Sequence, residues 1–78
     1  MLTPAELVDL LVTMLAGATS KPEAHWRDRI EIKWTSLALN PHSNWKIEAT
    51  GTLTDKDAIA RAVELLREAE PYVRWPTD

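Results

Sequence analysis

Two segments in the middle of the chain alternate between apolar and polar residues, and this alternation restricts the fold more than any other pattern in the sequence. In the first segment Ile30, Ile32 and Trp34 are separated by polar residues, and the second segment covers 45–53. A period of two predicts strands that each have one apolar face. Because the residues at 40–44 between them favour turns, we predict an antiparallel hairpin.

A change of phase in the first segment determines the predicted hairpin register. Leu37 and Leu39 continue the apolar series with the parity opposite to that of Trp34, which predicts a β-bulge at 35–36. The predicted cross-strand pairs are Leu39 with Trp45, Leu37 with Ile47, Trp34 with Ala49, Ile32 with Gly51 and Ile30 with Leu53. Trp34 and Trp45 are then both expected on the inner face, which one layer of helices should cover.

A helical pattern precedes the hairpin. Thr3 and Glu6 form a capping-box signature, and the apolar residues that follow recur at helical spacing. We therefore predict a helix over 4–16, ended by Gly17 in a left-handed conformation. A second capping-box signature at 20–23 is compatible with one further helical turn.

Another helical pattern follows the hairpin. Thr54 is predicted to cap this helix, and Pro71 is predicted to end it. Its apolar stripe consists of Ile59, Ala62, Val63, Leu66 and Ala69. The segment 72–75 is rich in strand-forming residues, so it is compatible with either a short third strand or a tail pinned by Trp75.

These elements predict the α+β class, with 1–78 forming one small two-layer domain in the order helix, strand, strand, helix. The chain has 78 residues and no cysteine, so no disulfide can reinforce it. A chain of this length buries only about 60% of the surface that its unfolded form exposes. Oligomerisation is one way to compensate for so small a core.

Charge gives little indication of a polyanionic or membrane partner. The formal net charge is −3, and acidic and basic residues are spread evenly over both halves of the chain. The first apolar stretch is too short to span a bilayer and lacks the features of an export signal. We therefore expect no membrane association and a cytoplasmic location.

The two histidines are the first residues to consider for chemistry. His25 lies between Glu23 and Asp28, a grouping that could hold a metal or transfer protons. His42 is separated from His25 by a predicted strand that would hold the two about 30 Å apart, so they cannot share a metal within one chain. Two exposed loop histidines are the expected outcome, and no metal site is predicted.

Other catalytic patterns are weak. The carboxylate pairs Asp55 with Asp57 and Glu68 with Glu70 lie at predicted helix ends, where capping and solvation account for them. Only two glycines are present, so no glycine-rich phosphate loop can form. We expect no catalytic residues, no cofactor and no enzymatic activity.

The remaining expectation is a protein-interaction module that forms a homodimer or binds another protein. A two-stranded hairpin leaves two unpaired backbone edges, and four tryptophans are many for so small a core. The alternative is that all four complete a monomeric core. The residues predicted at an interface are Val8, Val12, Trp26, Tyr72 and Trp75.

Two further functions compete with this interpretation. The polar face of the hairpin carries Lys33 and Lys46, which could bind nucleic acid, although the neighbouring Glu31 and Glu48 oppose such binding. An enzyme is the third candidate, with a site where His25 or the other histidine meets its copy across a two-fold axis.

Overall fold

Residues 1–76, which are described by a computed structural model, form three helices and one antiparallel hairpin. The elements are α1 (Pro4–Ala18), α2 (Glu23–Arg27), β1 (Ile30–Trp34), β2 (Trp45–Ala49) and α3 (Leu53–Ala69). The predicted α+β class is confirmed, and α2 is the short helical segment indicated before the first strand.

The first helix begins as predicted but ends later. The Thr3 hydroxyl accepts a hydrogen bond from the Glu6 N–H at 3.2 Å, and the Glu6 carboxylate accepts one from the Thr3 N–H at 3.0 Å. Gly17 continues the helix, so its predicted role as a left-handed stop was wrong. Thr19 ends the helix instead, because its backbone is extended, with φ at −129° and ψ at 173°. Its N–H and its hydroxyl both donate to the Leu15 carbonyl.

The last helix begins two residues earlier than predicted. Its cap is Thr52 rather than Thr54, and the Thr52 hydroxyl accepts a hydrogen bond from the Asp55 N–H at 3.1 Å. Gly51, with φ at 107°, redirects the chain after β2 and brings Thr52 to the cap position. The helix ends before Pro71, as expected.

The predicted hairpin register was wrong because the first strand has no bulge. The observed pairs are Ile30 with Ala49, Glu31 with Glu48, Ile32 with Ile47, Lys33 with Lys46 and Trp34 with Trp45. The strand ends before Leu37 and Leu39, whose side chains are 51% and 90% exposed. The Ser36 carbonyl accepts hydrogen bonds from the N–H groups of Leu39 and Asn40, and this turn removes both leucines from the ladder.

The tryptophans divide differently from the prediction. Trp45 is fully buried and donates its indole N–H to the Glu70 carbonyl at 2.9 Å. Trp34 was expected on the buried inner face but is 63% exposed, because Trp45 directly opposite fills the core at this end of the sheet. Trp26, predicted at an interface, lies in the core and donates its indole N–H to the Thr19 hydroxyl.

The segment 72–75 does not form a third strand. The Asn44 side chain takes the place of a neighbouring strand, because its amide donates to the Val73 carbonyl and accepts from the Val73 N–H, both at 2.8 Å. The Trp75 indole donates to the Asn44 carbonyl at 3.0 Å. This is the alternative arrangement, a tail pinned by Trp75.

The core lies between the helices and one face of the hairpin. α1 and α2 contact β1, and α3 contacts β2. The buried apolar residues are Leu7, Leu11, Val12, Leu15, Trp26, Trp45, Ile59, Ala62, Val63, Leu66 and Val73. Over the described part of the chain, no helix has both the length and the apolar character needed to cross a bilayer.

The two glycines provide a matched test of the backbone. A Cβ at Gly51 would lie 3.0 Å from Asp55 Oδ2 and 3.1 Å from two Arg29 atoms, in addition to the unfavourable φ. We expect Gly51→Ala to lower the free energy of unfolding by roughly 1–3 kcal/mol. Gly17→Ala should raise it by about 0.5–1 kcal/mol, since a Cβ there meets nothing within 4 Å in a helix. Urea unfolding measures both, and equal effects of the two variants would contradict this account.

Candidate functional site

The outer edge of β1 carries unpaired backbone groups. The Thr35 N–H donates to the Asn44 carbonyl at 3.1 Å, and hydrogen-bonded pairs recur at every second residue of an antiparallel ladder. The backbone groups that point away from β2 therefore belong to Ile30, Ile32 and Trp34. Within residues 1–76 these groups make no hydrogen bond to another part of the chain. The edge is thus available to a further strand.

The outer edge of β2 is obstructed at its first residue. The Trp45 carbonyl accepts hydrogen bonds from the Ser43 hydroxyl and from Arg67 Nη2, each at 3.1 Å. The Arg67 guanidinium also lies over the Trp45 ring, with Cζ 4.5 Å from the ring centroid. An outward carbonyl of β2 is therefore already paired, whereas within residues 1–76 the outward carbonyls of β1 are not.

On the polar face of the hairpin, residues of like charge lie directly opposite each other. The register sets Glu31 directly opposite Glu48 and Lys33 directly opposite Lys46, and like charges in such positions are unfavourable. Lys33 Nζ relieves this by lying 2.8 Å from Glu31 Oε1 and 3.9 Å from Glu48 Oε1. The hydrogen bond with Glu31 raises the pKa of Lys33, which keeps this lysine charged.

A shallow apolar groove lies between α1 and α3. Its volume is about 340 Å³, and the rim carries Asp57 and Arg61, which form an ion pair at 3.2 Å. Its apolar lining consists of Met14, Leu15, Ala18, Ala58, Ala62 and Leu65. Leu65 is 63% exposed, so the groove adds to the apolar surface of the chain.

A buried carboxylate ties α2 to the beginning of α3. Asp55 is only 2% exposed, and its Oδ1 lies 2.7 Å from Lys21 Nζ and 3.2 Å from His25 Nε2. Its Oδ2 lies 3.3 Å from Arg29 Nε. Lys21, His25 and Arg29 are four residues apart, a spacing that places them on one side of α2 and its flanking turns.

The surroundings of Asp55 keep it ionised. The hydrogen bond from Lys21, together with the contact to His25, holds the pKa of Asp55 well below its ordinary value, although burial acts in the opposite direction. A carboxylate with so low a pKa is a poor general base at neutral pH. The cluster therefore serves to hold α2 against α3.

Sequence reasoning grouped His25 with the wrong carboxylates. It paired His25 with Glu23 and Asp28, whereas the structure brings His25 to Asp55, which lies thirty residues further along the chain. The four-residue spacing of Lys21, His25 and the following arginine was the available signal. In residues 1–76 no group of histidine and carboxylate side chains is arranged to hold a metal.

The residues predicted at an interface have different surroundings. Val12 and Trp26 lie in the core and present no side-chain surface to a partner. Val8 and Trp75 are half-buried, and Tyr72 is 36% exposed. The predicted interface therefore remains a prediction, and its accessible members are the latter three.

The Asp55 cluster should make stability depend on pH. Since the pKa of Asp55 is lower in the folded chain, its ion pairs stabilise the fold above the unfolded pKa of about 3.9 and are lost progressively as the pH falls further. We expect Asp55→Asn to lower the urea midpoint at pH 7, where Lys21 and Arg29 are left without their carboxylate. The difference from the unsubstituted chain should shrink at acidic pH.

Asp57→Asn is the matched control for this experiment. Asp57 is an exposed carboxylate on the same helix, and it forms an exposed ion pair with Arg61. The Asp57→Asn substitution should change the urea midpoint little at any pH. Equal midpoints for Asp55→Asn and the unsubstituted chain at pH 7 would contradict a stabilising role of the cluster.

Comparison with known proteins gives no relative for this chain. No protein-family model matches it, and neither a curated protein nor a solved structure matches it. Its function is therefore inferred from its own residues.

Proposed function

We propose that this chain is a non-catalytic protein-interaction module that associates with a second copy of itself. The observation that carries the proposal is the open edge of β1, where the backbone groups of Ile30, Ile32 and Trp34 have no partner among the described residues. Strand edges of this kind pair readily with other strands, and folded proteins usually cover them. A second copy of the same edge is one such cover.

The exposed apolar residues support the same proposal. Trp34, at the end of β1, is 63% exposed, and Leu39 in the loop that follows is 90% exposed. Aromatic side chains are enriched where proteins associate. Burial of Trp34 against a partner would remove its apolar surface from water, which favours association.

A non-catalytic role agrees with the surroundings of the titratable residues. The carboxylate nearest to a histidine is Asp55, which is buried and engaged by Lys21 and Arg29 as well as His25. On the polar face of the hairpin, Lys33 lies close to Glu31 and Glu48, which weakens any attraction for nucleic acid. We place the module in the cytoplasm, in keeping with a chain that contains no cysteine.

Self-association is tested by sedimentation equilibrium of the purified chain from micromolar to millimolar concentrations. We expect the average mass to rise from that of one chain to that of two, because pairing of edges follows mass action. A mass that stays at one chain over the whole range would refute the proposed self-association and would leave the edge to a strand from another protein.

A further inference from the structure

We infer that β1 pairs with β1 of a second copy in an antiparallel register centred on Ile32, so that two hairpins form one four-stranded sheet. The inference rests on the proposed self-association and specifies its surface and register. All the residues of the inferred interface lie in β1, within residues 30–34 of each copy.

The backbone geometry permits this register. In a two-fold antiparallel pair centred on Ile32, Ile32 lies opposite the partner's Ile32, and Ile30 lies opposite the partner's Trp34. These are the residues of β1 whose backbone groups point away from β2, so each such pair can exchange two hydrogen bonds. The register thus satisfies the unpaired groups of both edges at once.

The charges favour the same register. It sets Glu31 opposite the partner's Lys33, and Lys33 opposite the partner's Glu31. Within one hairpin each of these residues faces a residue of its own charge. The hairpin itself places no opposite charge directly across from Glu31 or Lys33, and the second copy supplies one for each.

The apolar residues also match across this register. Directly opposite residues of an antiparallel pair lie on the same face, so Ile30 and the partner's Trp34 meet on the apolar face. Aromatic and β-branched side chains form favourable cross-strand pairs. Trp34 is 63% exposed in the single chain. In the symmetric pair, each of the two Trp34 side chains is covered by the other copy.

The edge of β2 offers a similar charge pattern, but its first residue already has a hydrogen-bonded carbonyl. Lys46 and Glu48 would face their opposites in a pair centred on Ile47. However, the Trp45 carbonyl at that edge is already bound by Arg67. This contrast assigns the interface to β1 and supplies the control for the experiment below.

Single charge reversals should weaken the dimer; within the hairpin each removes the exposed ion pair of Lys33 with Glu31 but makes a directly opposed pair attractive. In Glu31→Lys the new lysine faces Glu48 within the chain, and in Lys33→Glu the new glutamate faces Lys46, so both in-chain pairs become attractive. Across the interface each reversal replaces two attractive pairs with two repulsive pairs. We expect the dissociation constant of each variant to rise roughly tenfold.

Combining the two reversals should restore association. In a mixture of Glu31→Lys and Lys33→Glu chains, every interface pair of the mixed dimer is again attractive, so the mixed dimer should exceed both like dimers in native mass spectrometry. The double variant Glu31→Lys/Lys33→Glu should dimerise about as well as the unsubstituted chain, since its pairs are only inverted.

The matched controls are Lys46→Glu and Glu48→Lys on β2. They improve the same in-chain pairs but lie on the other strand, so they should leave the dissociation constant unchanged. Amide exchange gives an independent measurement: the Ile32 N–H should gain protection on dimerisation, and the Ile47 N–H should not. A reversed result, with complementation between the β2 variants, would overturn the assignment to β1.

The outcomes separate this inference from the proposed function. If the unsubstituted chain dimerises but mixing the β1 variants restores nothing, the register is refuted and self-association stands. If the unsubstituted chain never dimerises, both are refuted.

Discussion

A two-stranded sheet is only marginally stable in water, so the whole fold depends on the helices that cover its one apolar face. Trp45 shows this dependence most clearly, because its ring is fully buried and both its indole and its carbonyl are hydrogen-bonded to residues at the end of α3 or just beyond it. The non-hydrogen-bonded pair of Ile32 and Ile47 extends the same face. With most of its inner face covered in this way, the hairpin has its polar face, its edges and the exposed Trp34 left for other molecules.

The elements of the fold could be predicted from local sequence patterns, whereas their pairing could not. The Thr3 cap and the hairpin segments follow from short-range rules, and both are present. The register failed because a bulge and an early strand end leave the same phase change in the sequence. The hydrogen bonds to the Ser36 carbonyl, which decide between them, are visible only in three dimensions. The contact of His25 with Asp55 could not be predicted for the same reason, since it joins residues far apart in the chain.

The Asp55 cluster and Gly51 depend on each other. The carboxylate can approach the Arg29 side chain only because Gly51 leaves room beside it, and the positive φ of Gly51 also places Thr52 to cap α3. One backbone position thus affects both where α3 begins and how a buried charge is compensated. A larger residue there would disturb both, which the local sequence pattern of a glycine before a helix does not reveal.

The obstruction of β2 has a consequence for the size of any assembly formed through strand edges. A chain with two equivalent open edges adds further copies without limit and forms a fibre, whereas a chain with one open edge is complete once that edge is shared. Arg67 occupies the Trp45 carbonyl and so hinders a further strand at the first residue of β2. An obstacle at one edge alone favours a closed pair of chains over continued growth.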